Sequence, residues 1–275
     1  MSNWTKSLKS TGSDRPKLNH RKLKIKEIEG GGVLFAYYDN ELKVDVPVEA
    51  PLNVAVIGSA LQLSAYDNAM KKSYRSNYVF DTKAKTTQVY KPEGTAMFDH
   101  PVTYAEAKEA LMAAAGAATK VKYVWFLYDL DNGQMYGAES NVSVSIEINK
   151  KIQSHINNGM SFSVSPTEYQ KDDERISKKT REMLGKLADK NKPKFVWFEL
   201  GKPIEDDVAE SSGLVDAIAE YNLYSAVAAQ PVVEKEDTVY APKEESHIDG
   251  LMKRTKVENT PDLQPSSVED DDLPF

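Results

Sequence analysis

One segment constrains the fold of this chain more than any other. Residues 121–128 read Val-Lys-Tyr-Val-Trp-Phe-Leu-Tyr, and seven of these eight residues are aromatic, β-branched or leucine. Such a run is typical of a β-strand with both faces largely buried. Asp131-Asn132-Gly133 follows as a hairpin-turn signal, and 134–139 is predicted to return as the paired strand. The sequence therefore predicts an antiparallel hairpin within a fold that is mainly β.

Further strands are predicted on both sides of this hairpin. Between Lys22 and Glu29 the side chains alternate, with Leu23 and Ile25 opposite a row of lysines, which indicates a half-buried strand. Gly30-Gly31-Gly32 then breaks or bends the chain. The other predicted strands cover residues 33–38, 52–58, 77–80, 86–90, 161–165 and 194–200.

Helices are predicted at three places. Thr103 and Glu106 form a capping-box pattern, so a helix is expected from there to about Ala118. Helical spacing of apolar residues predicts another helix over 173–189, and Ser212 is predicted to cap a third. Residues 142–157 begin with β-branched residues and continue as a helix-like stretch, so their type is left open.

The order of these elements favours one fold class. Several strands, one capped helix and then a hairpin is the order of an OB-fold, a five-stranded Greek-key barrel with a helix between its third and fourth strands. We therefore predict a mainly β protein with helices (α+β), with an OB-like domain over 21–229. Residues 1–20 are predicted to be a flexible arm, 230–267 a disordered linker and 268–275 an acidic tip.

The charge of the chain is divided unevenly. Residues 1–200 carry 29 Lys+Arg and 24 Asp+Glu, whereas 201–275 carry 6 and 18. This division of charge is expected if the body binds a polyanion and the acidic tail binds a different partner. Cysteine is absent, so thiol catalysis and cysteine zinc sites are excluded. No apolar run is long enough to span a membrane and no signal peptide is evident, so a cytoplasmic protein is expected.

Basic and aromatic residues alternate most densely in residues 71–91. Single-stranded nucleic acid is bound by lysines and arginines that meet phosphates and by aromatic rings that stack on bases. This segment holds six basic residues and one acid. A solvated hairpin with its rings in the core would show the same pattern. The candidate binding residues here are Lys71, Lys72, Tyr74, Arg75, Tyr78, Lys83 and Lys85.

Two strands resemble each other and add further candidates. Lys122-Tyr123-Val124-Trp125-Phe126 matches 194–198, Lys-Phe-Val-Trp-Phe, so Lys122, Trp125 and Trp197 are candidate contacts to nucleic acid. The alternative is that all of these rings belong to the core. A fourth candidate is the basic strip Lys17, Arg21, Lys22, Lys24 and Lys26 with Tyr37 and Tyr38, although charged strand edges also serve to prevent aggregation.

Catalytic patterns are lacking in the sequence. No complete phosphate-binding loop occurs, and the four histidines show no metal-ligand spacing, so no metal, cofactor or enzymatic activity is expected. Asp129, Asp131, Glu139 and Glu147 could hold Mg²⁺ for a nuclease. A solvated hairpin accounts for the first two more simply.

The sequence ends with Asp270-Asp271-Asp272-Leu273-Pro274-Phe275. This peptide resembles the acidic tip of bacterial single-stranded DNA-binding proteins. The resemblance implies that the ring and terminal carboxylate of Phe275 dock into replication and repair enzymes, with the aspartates adding attraction. The body is closer in general plan to the single-strand binders of bacteriophage replication.

Together these features predict a single-stranded DNA-binding protein, without strong sequence preference, that acts as a monomer or homodimer. Two alternatives stay open. The chain could be an interaction protein that uses only the tip to capture host enzymes, or a metal-dependent nuclease or recombination enzyme.

Overall fold

The structure, a computed structural model, describes residues 18–80, 86–188 and 192–229. The chain divides into two units, 1–232 and 233–275. All of the described residues belong to the first unit. The predicted linker and tip lie outside the described residues, as do Lys83, Lys85 and all but the last three residues of the predicted arm.

The described residues contain twelve strands. They are β1 (Arg21–Glu27), β2 (Val33–Asp39), β3 (Val44–Val48), β4 (Leu52–Asp67), β5 (Lys72–Ser76), β6 (Thr86–Thr87), β7 (Val89–Tyr90), β8 (Val102–Thr103), β9 (Lys120–Asp129), β10 (Gln134–Ser140), β11 (Met160–Glu168) and β12 (Lys194–Pro203). The helices are α1 (Tyr104–Ala115), α2 (Val142–Asn157), α3 (Lys178–Ala188), α4 (Asp206–Ser212) and α5 (Leu214–Ala229).

Ten of these strands form one sheet. Eight follow one another in the order β12-β11-β4-β9-β10-β1-β2-β3, while β5 pairs with the second half of β4 and β7 pairs with β5. The pairing of β1 with β10 is parallel and the other pairings are antiparallel. The strand predicted at 121–128 is β9, which lies near the middle of this sheet between β4 and β10.

One face of the sheet, here called the core face, encloses the main hydrophobic core. Alternation in β9 directs Tyr123, Trp125 and Leu127 to this side, where α2 and α3 also contribute apolar residues. The sheet curls around them, because Lys194 of β12 reaches Glu27 of β1 (Nζ–Oε1 2.6 Å). A second cluster forms where α1 covers the far half of β4, with its N-terminus held by the predicted Thr103–Glu106 capping box.

The opposite face, here called the groove face, is covered over only part of its area. Helix α5 packs there against Val124, Phe126 and Tyr128 of β9. The contact is close, since a Cβ built on Gly58 would lie 2.0 Å from the hydroxyl oxygen of Tyr221. Only glycine therefore fits under this tyrosine. None of the described helices covers the part of this face that lies beyond α5.

The fold class predicted from the sequence, mixed α and β with mostly sheet, is confirmed. The OB-fold itself is not confirmed, because the sheet has ten strands rather than five and α1 follows the eighth strand rather than the third. None of the described helices is long and apolar enough to cross a membrane.

Several element boundaries differ from prediction. Residues 142–157 are helical throughout, because Asn141 caps the helix by accepting from the Val144 amide. Helix α3 begins only at Lys178, and Ser212 ends α4 instead of starting α5, with Gly213 in the left-handed conformation between them. Leu18, which the prediction placed in the flexible arm, is buried in the cluster beneath α5.

Candidate nucleic-acid interface

Five cations converge on the uncovered part of the groove face. Strand register places Lys120 opposite Ser64 and Ser64 opposite Arg75, so the three side chains share one side of the sheet. Lys122 lies two residues from Lys120 on that side. On β1, alternation sends Leu23 to the core and its neighbours Lys22 and Lys24 to the groove face. We call the surface formed by Lys22, Lys24, Arg75, Lys120 and Lys122 the basic groove.

Side chains span this surface from both of its outer strands. Three strands lie between β1 and β5, which in a flat sheet corresponds to a separation of roughly 19 Å. Yet His20, just before β1, contacts the Tyr78 hydroxyl, just after β5, through Nε2 at 3.1 Å. The positive charge of Arg75 also lowers the pKa of Lys22. Side chains from the β1 end and from the β5 end of this surface therefore reach each other across β10, β9 and β4.

A single carboxylate, Glu139 of β10, lies between two of these lysines. It pairs with Lys122 (Nζ–Oε2 2.5 Å) and also with Lys22. Burial lowers the pKa of Lys22 to about 8; Glu139 acts to raise it, and the charges of Arg75 and Lys122 lower it. Burial would raise the pKa of Glu139, but the two lysines keep it below its usual value. Positive charge is thus in excess around one shared carboxylate.

A pocket of about 450 Å³ adjoins strand β5. Lys72, Arg75 and Lys91 line it together with the loop 92–94, which contributes one acid, Glu93. Arg75 belongs to both the pocket and the groove, so a bound polyanion could continue from one into the other. Lys71, also predicted to bind, is exposed in the turn before β5 and belongs to neither the pocket lining nor the groove.

The two tyrosines predicted in this segment do not line the groove. Tyr78 is 8% exposed and its ring centre lies 5.1 Å from that of Phe126. Tyr74 is half-buried and packs against the cluster beneath α1, because it alternates with Arg75 along β5. Both rings serve the core in this structure, so the prediction that they stack on bases is corrected.

The predicted tryptophans also belong to the packed part of the protein. Trp125 is fully buried and its ring centre lies 4.7 Å from that of Phe198, so it has no surface for a base. Trp197 is half-buried on β12, away from the groove, and the Arg175 guanidinium covers its ring at 4.4 Å. The repeated Lys-aromatic-Val-Trp-Phe pattern therefore reflects two core strands and not two stacking platforms.

Part of this site is predictable from the sequence. The density of basic and aromatic residues indicates Arg75, Lys72 and Lys122, and the separate basic strip contains Lys22 and Lys24. Lys120 was missed, because its position opposite Ser64 depends on the pairing of β4 with β9. One local signal could have found it: apolar residues alternate with polar residues over 61–66, which extends β4 beyond the predicted 52–58.

The carboxylates that the nuclease alternative requires do not form one site, because each makes contacts with different partners. Asp129 is buried and accepts hydrogen bonds from the backbone amide of Asp131 and the side-chain amide of Asn132, so it shapes the hairpin turn. Glu139 pairs with the groove lysines, and Glu147 of α2 binds Lys151 on the same helix and Ser177 in the loop before α3. Among the described residues no group of three or more potential metal ligands comes together.

Comparison with family models, with curated proteins and with solved structures finds no match to this chain.

Proposed function

We propose that this protein binds single-stranded DNA along the basic groove, without strong sequence preference. The observation that carries the proposal is that five cations from β1, β5 and β9 lie on one face of the sheet around one carboxylate. A chain of phosphates supplies the regularly spaced negative charge that such a surface attracts. Lysine and arginine side chains read no base sequence through phosphate contacts, which accounts for the expected lack of preference.

The position of the cations on a sheet favours a single strand over a duplex. Proteins that read duplex DNA insert a convex element, a helix or a β-ribbon, into the major groove. Here the cations lie on the strands of a sheet, and α5 packs on that face against Val124, Phe126 and Tyr128 and not against the cations. A basic surface of this kind follows the backbone of a single strand.

The tail has a separate role in this proposal. Residues 268–275 lie outside the described residues, so their proposed role depends on the sequence alone: they recruit replication and repair enzymes to the bound strand.

The proposal also includes a cytoplasmic location, a monomeric or homodimeric protein, and an OB-like character of the curled sheet. The strongest support for the OB-like view is that the sheet curls around a core, as a partly open barrel does.

Neutralising single cations tests this assignment. Arg75→Gln should weaken the binding of a dye-labelled oligo-dT because one phosphate contact is lost. The matched control is Lys178→Gln on α3, where the lysine side chain is 85% exposed and remote from the groove. Both variants lose one positive charge. Equal effects of the two variants would mean that net charge, and not the groove, determines binding.

The salt dependence provides a second criterion. For single strands the slope of log K against log salt is about −0.7 for each neutralised phosphate. Contacts to roughly three to five phosphates therefore predict a slope of about −2 to −3.5. Arg75→Gln should make that slope shallower by about 0.7, and Lys178→Gln should leave it unchanged.

A further inference from the structure

Two tyrosines stand out because they are exposed. Tyr38 on β2 is 46% exposed and Tyr66 on β4 is 47% exposed. The other tyrosines in the described part of the chain are buried or half-buried. No hydrogen bond or ring contact among the described residues holds either side chain. An aromatic side chain left exposed on a well-formed strand has a free face for a ligand.

Both rings lie on the groove face. Ala36 is paired with Lys24, and Tyr38 lies two residues further along β2, so it shares the face of that lysine. Tyr66 is paired with Ser73, two residues from Arg75 on the same side of β5. Diagonal neighbours of this kind lie about 7–8 Å apart, within reach of long side chains. Each tyrosine therefore flanks a cation of the basic groove, Tyr38 beside β1 and Tyr66 beside β5.

We infer that Tyr38 and Tyr66 are stacking platforms for two bases of the single strand that the groove holds. The inference rests on the proposed function and adds to it the residues that contact bases. Phosphates meet the cations, and bases turn onto the two rings. Stacking accepts any base, because every base has a π-face.

Abasic oligonucleotides separate stacking from phosphate binding. The experiment compares dT₁₂ with an abasic strand of the same length on the full chain and on Tyr38→Ala and Tyr66→Ala. Each substitution should weaken dT₁₂ binding about 5- to 160-fold, the equivalent of one stacked base. Binding of the abasic strand should not change. Tyr→Phe at either position should retain binding, since the ring and not the hydroxyl is required.

The matched control is Leu200→Ala, which removes a side chain of similar exposure (52%) on β12, away from the groove. Should an alanine variant fail to fold, Tyr→Leu keeps the apolar bulk and still removes the ring. Alanine variants that bind dT₁₂ as tightly as the parent, or that lose affinity equally for both strands, would overturn the inference. If the parent binds neither strand, the proposed function itself fails.

Discussion

Replacing Glu139 with Gln should tighten DNA binding. This carboxylate pairs with both Lys22 and Lys122, so it competes with phosphate for both. A phosphate about 6 Å from the carboxylate is repelled by roughly 2.8 kcal/mol at an effective dielectric constant near 20. Glu139 is only 14% exposed, but salt and the two lysines screen part of this repulsion. We expect a net gain of about 1–2 kcal/mol, roughly five- to thirty-fold in affinity.

The assay is fluorescence anisotropy of a labelled oligo-dT at several salt concentrations. The label belongs on the DNA, since Trp125 is buried in the core and Trp197 lies away from the groove. The matched control is Glu27→Gln, which breaks the ion pair with Lys194 near the opposite face and changes the net charge equally. That variant should bind DNA as the parent does.

The same substitution carries a cost in stability. Without Glu139, Lys22 and Lys122 face each other partly buried, so the melting temperature should fall. A Glu139→Gln protein that stays folded at the assay temperature yet binds DNA no more tightly than the parent would refute the reasoning. Tighter binding of Glu27→Gln by the same factor would refute it as well.

Lys22, Gly58 and the C-terminal tip each allow one more test. Lys22 has a pKa of about 8, and a bound phosphate would raise it, so DNA affinity should fall as pH rises from about 7 to 9. In titrations at constant ionic strength, Lys22→Arg should remove the part of this pH dependence that comes from Lys22, because arginine stays charged. Gly58→Ala should destabilise the fold by about 1–3 kcal/mol in thermal melts, because the added Cβ displaces Tyr221. The control Gly185→Ala lies in α3, where a Cβ would make only an ordinary van der Waals contact, so this variant should be as stable as the parent or more stable. Deleting 268–275, or changing Phe275, should abolish the pull-down of replication or repair enzymes that bind the tip. The same change should leave DNA affinity unchanged or raise it at low salt, because the acidic tail no longer competes with phosphate for the basic groove. Weaker DNA binding would contradict this.

Local patterns in the sequence are enough to predict many elements. Strand β9, the turn after it, the half-buried strand β1 and the capping box of α1 each depend on neighbours within a few residues, and each is confirmed. The type of 142–157 is not decided by the sequence, because its β-branched residues favour a strand while its later spacing favours a helix. Here the Asn141 cap and the packing of Val144 and Ile148 against the core decide for the helix.

The candidate site is predictable only in part, because it depends on long-range pairing. Whether Tyr74 or Arg75 faces the groove follows from the register of β5 with β4, which no local pattern reveals. The sequence does show Trp125 in an apolar run, but only the enclosing strands and helices show that both sides of that run are covered. The approach of side chains from the β1 and β5 ends, across the three strands between them, is likewise a property of the assembled sheet.

The central claim is that the basic groove accepts a single strand in preference to a duplex. The most direct measurement is the affinity of the full chain for labelled dT₁₂ and for a duplex of the same length, each over a range of salt concentrations. The single strand should bind more tightly at every salt concentration, with a log–log slope of about −2 to −3.5. Equal affinity for the duplex, or single-strand binding that does not change with salt, would contradict the claim.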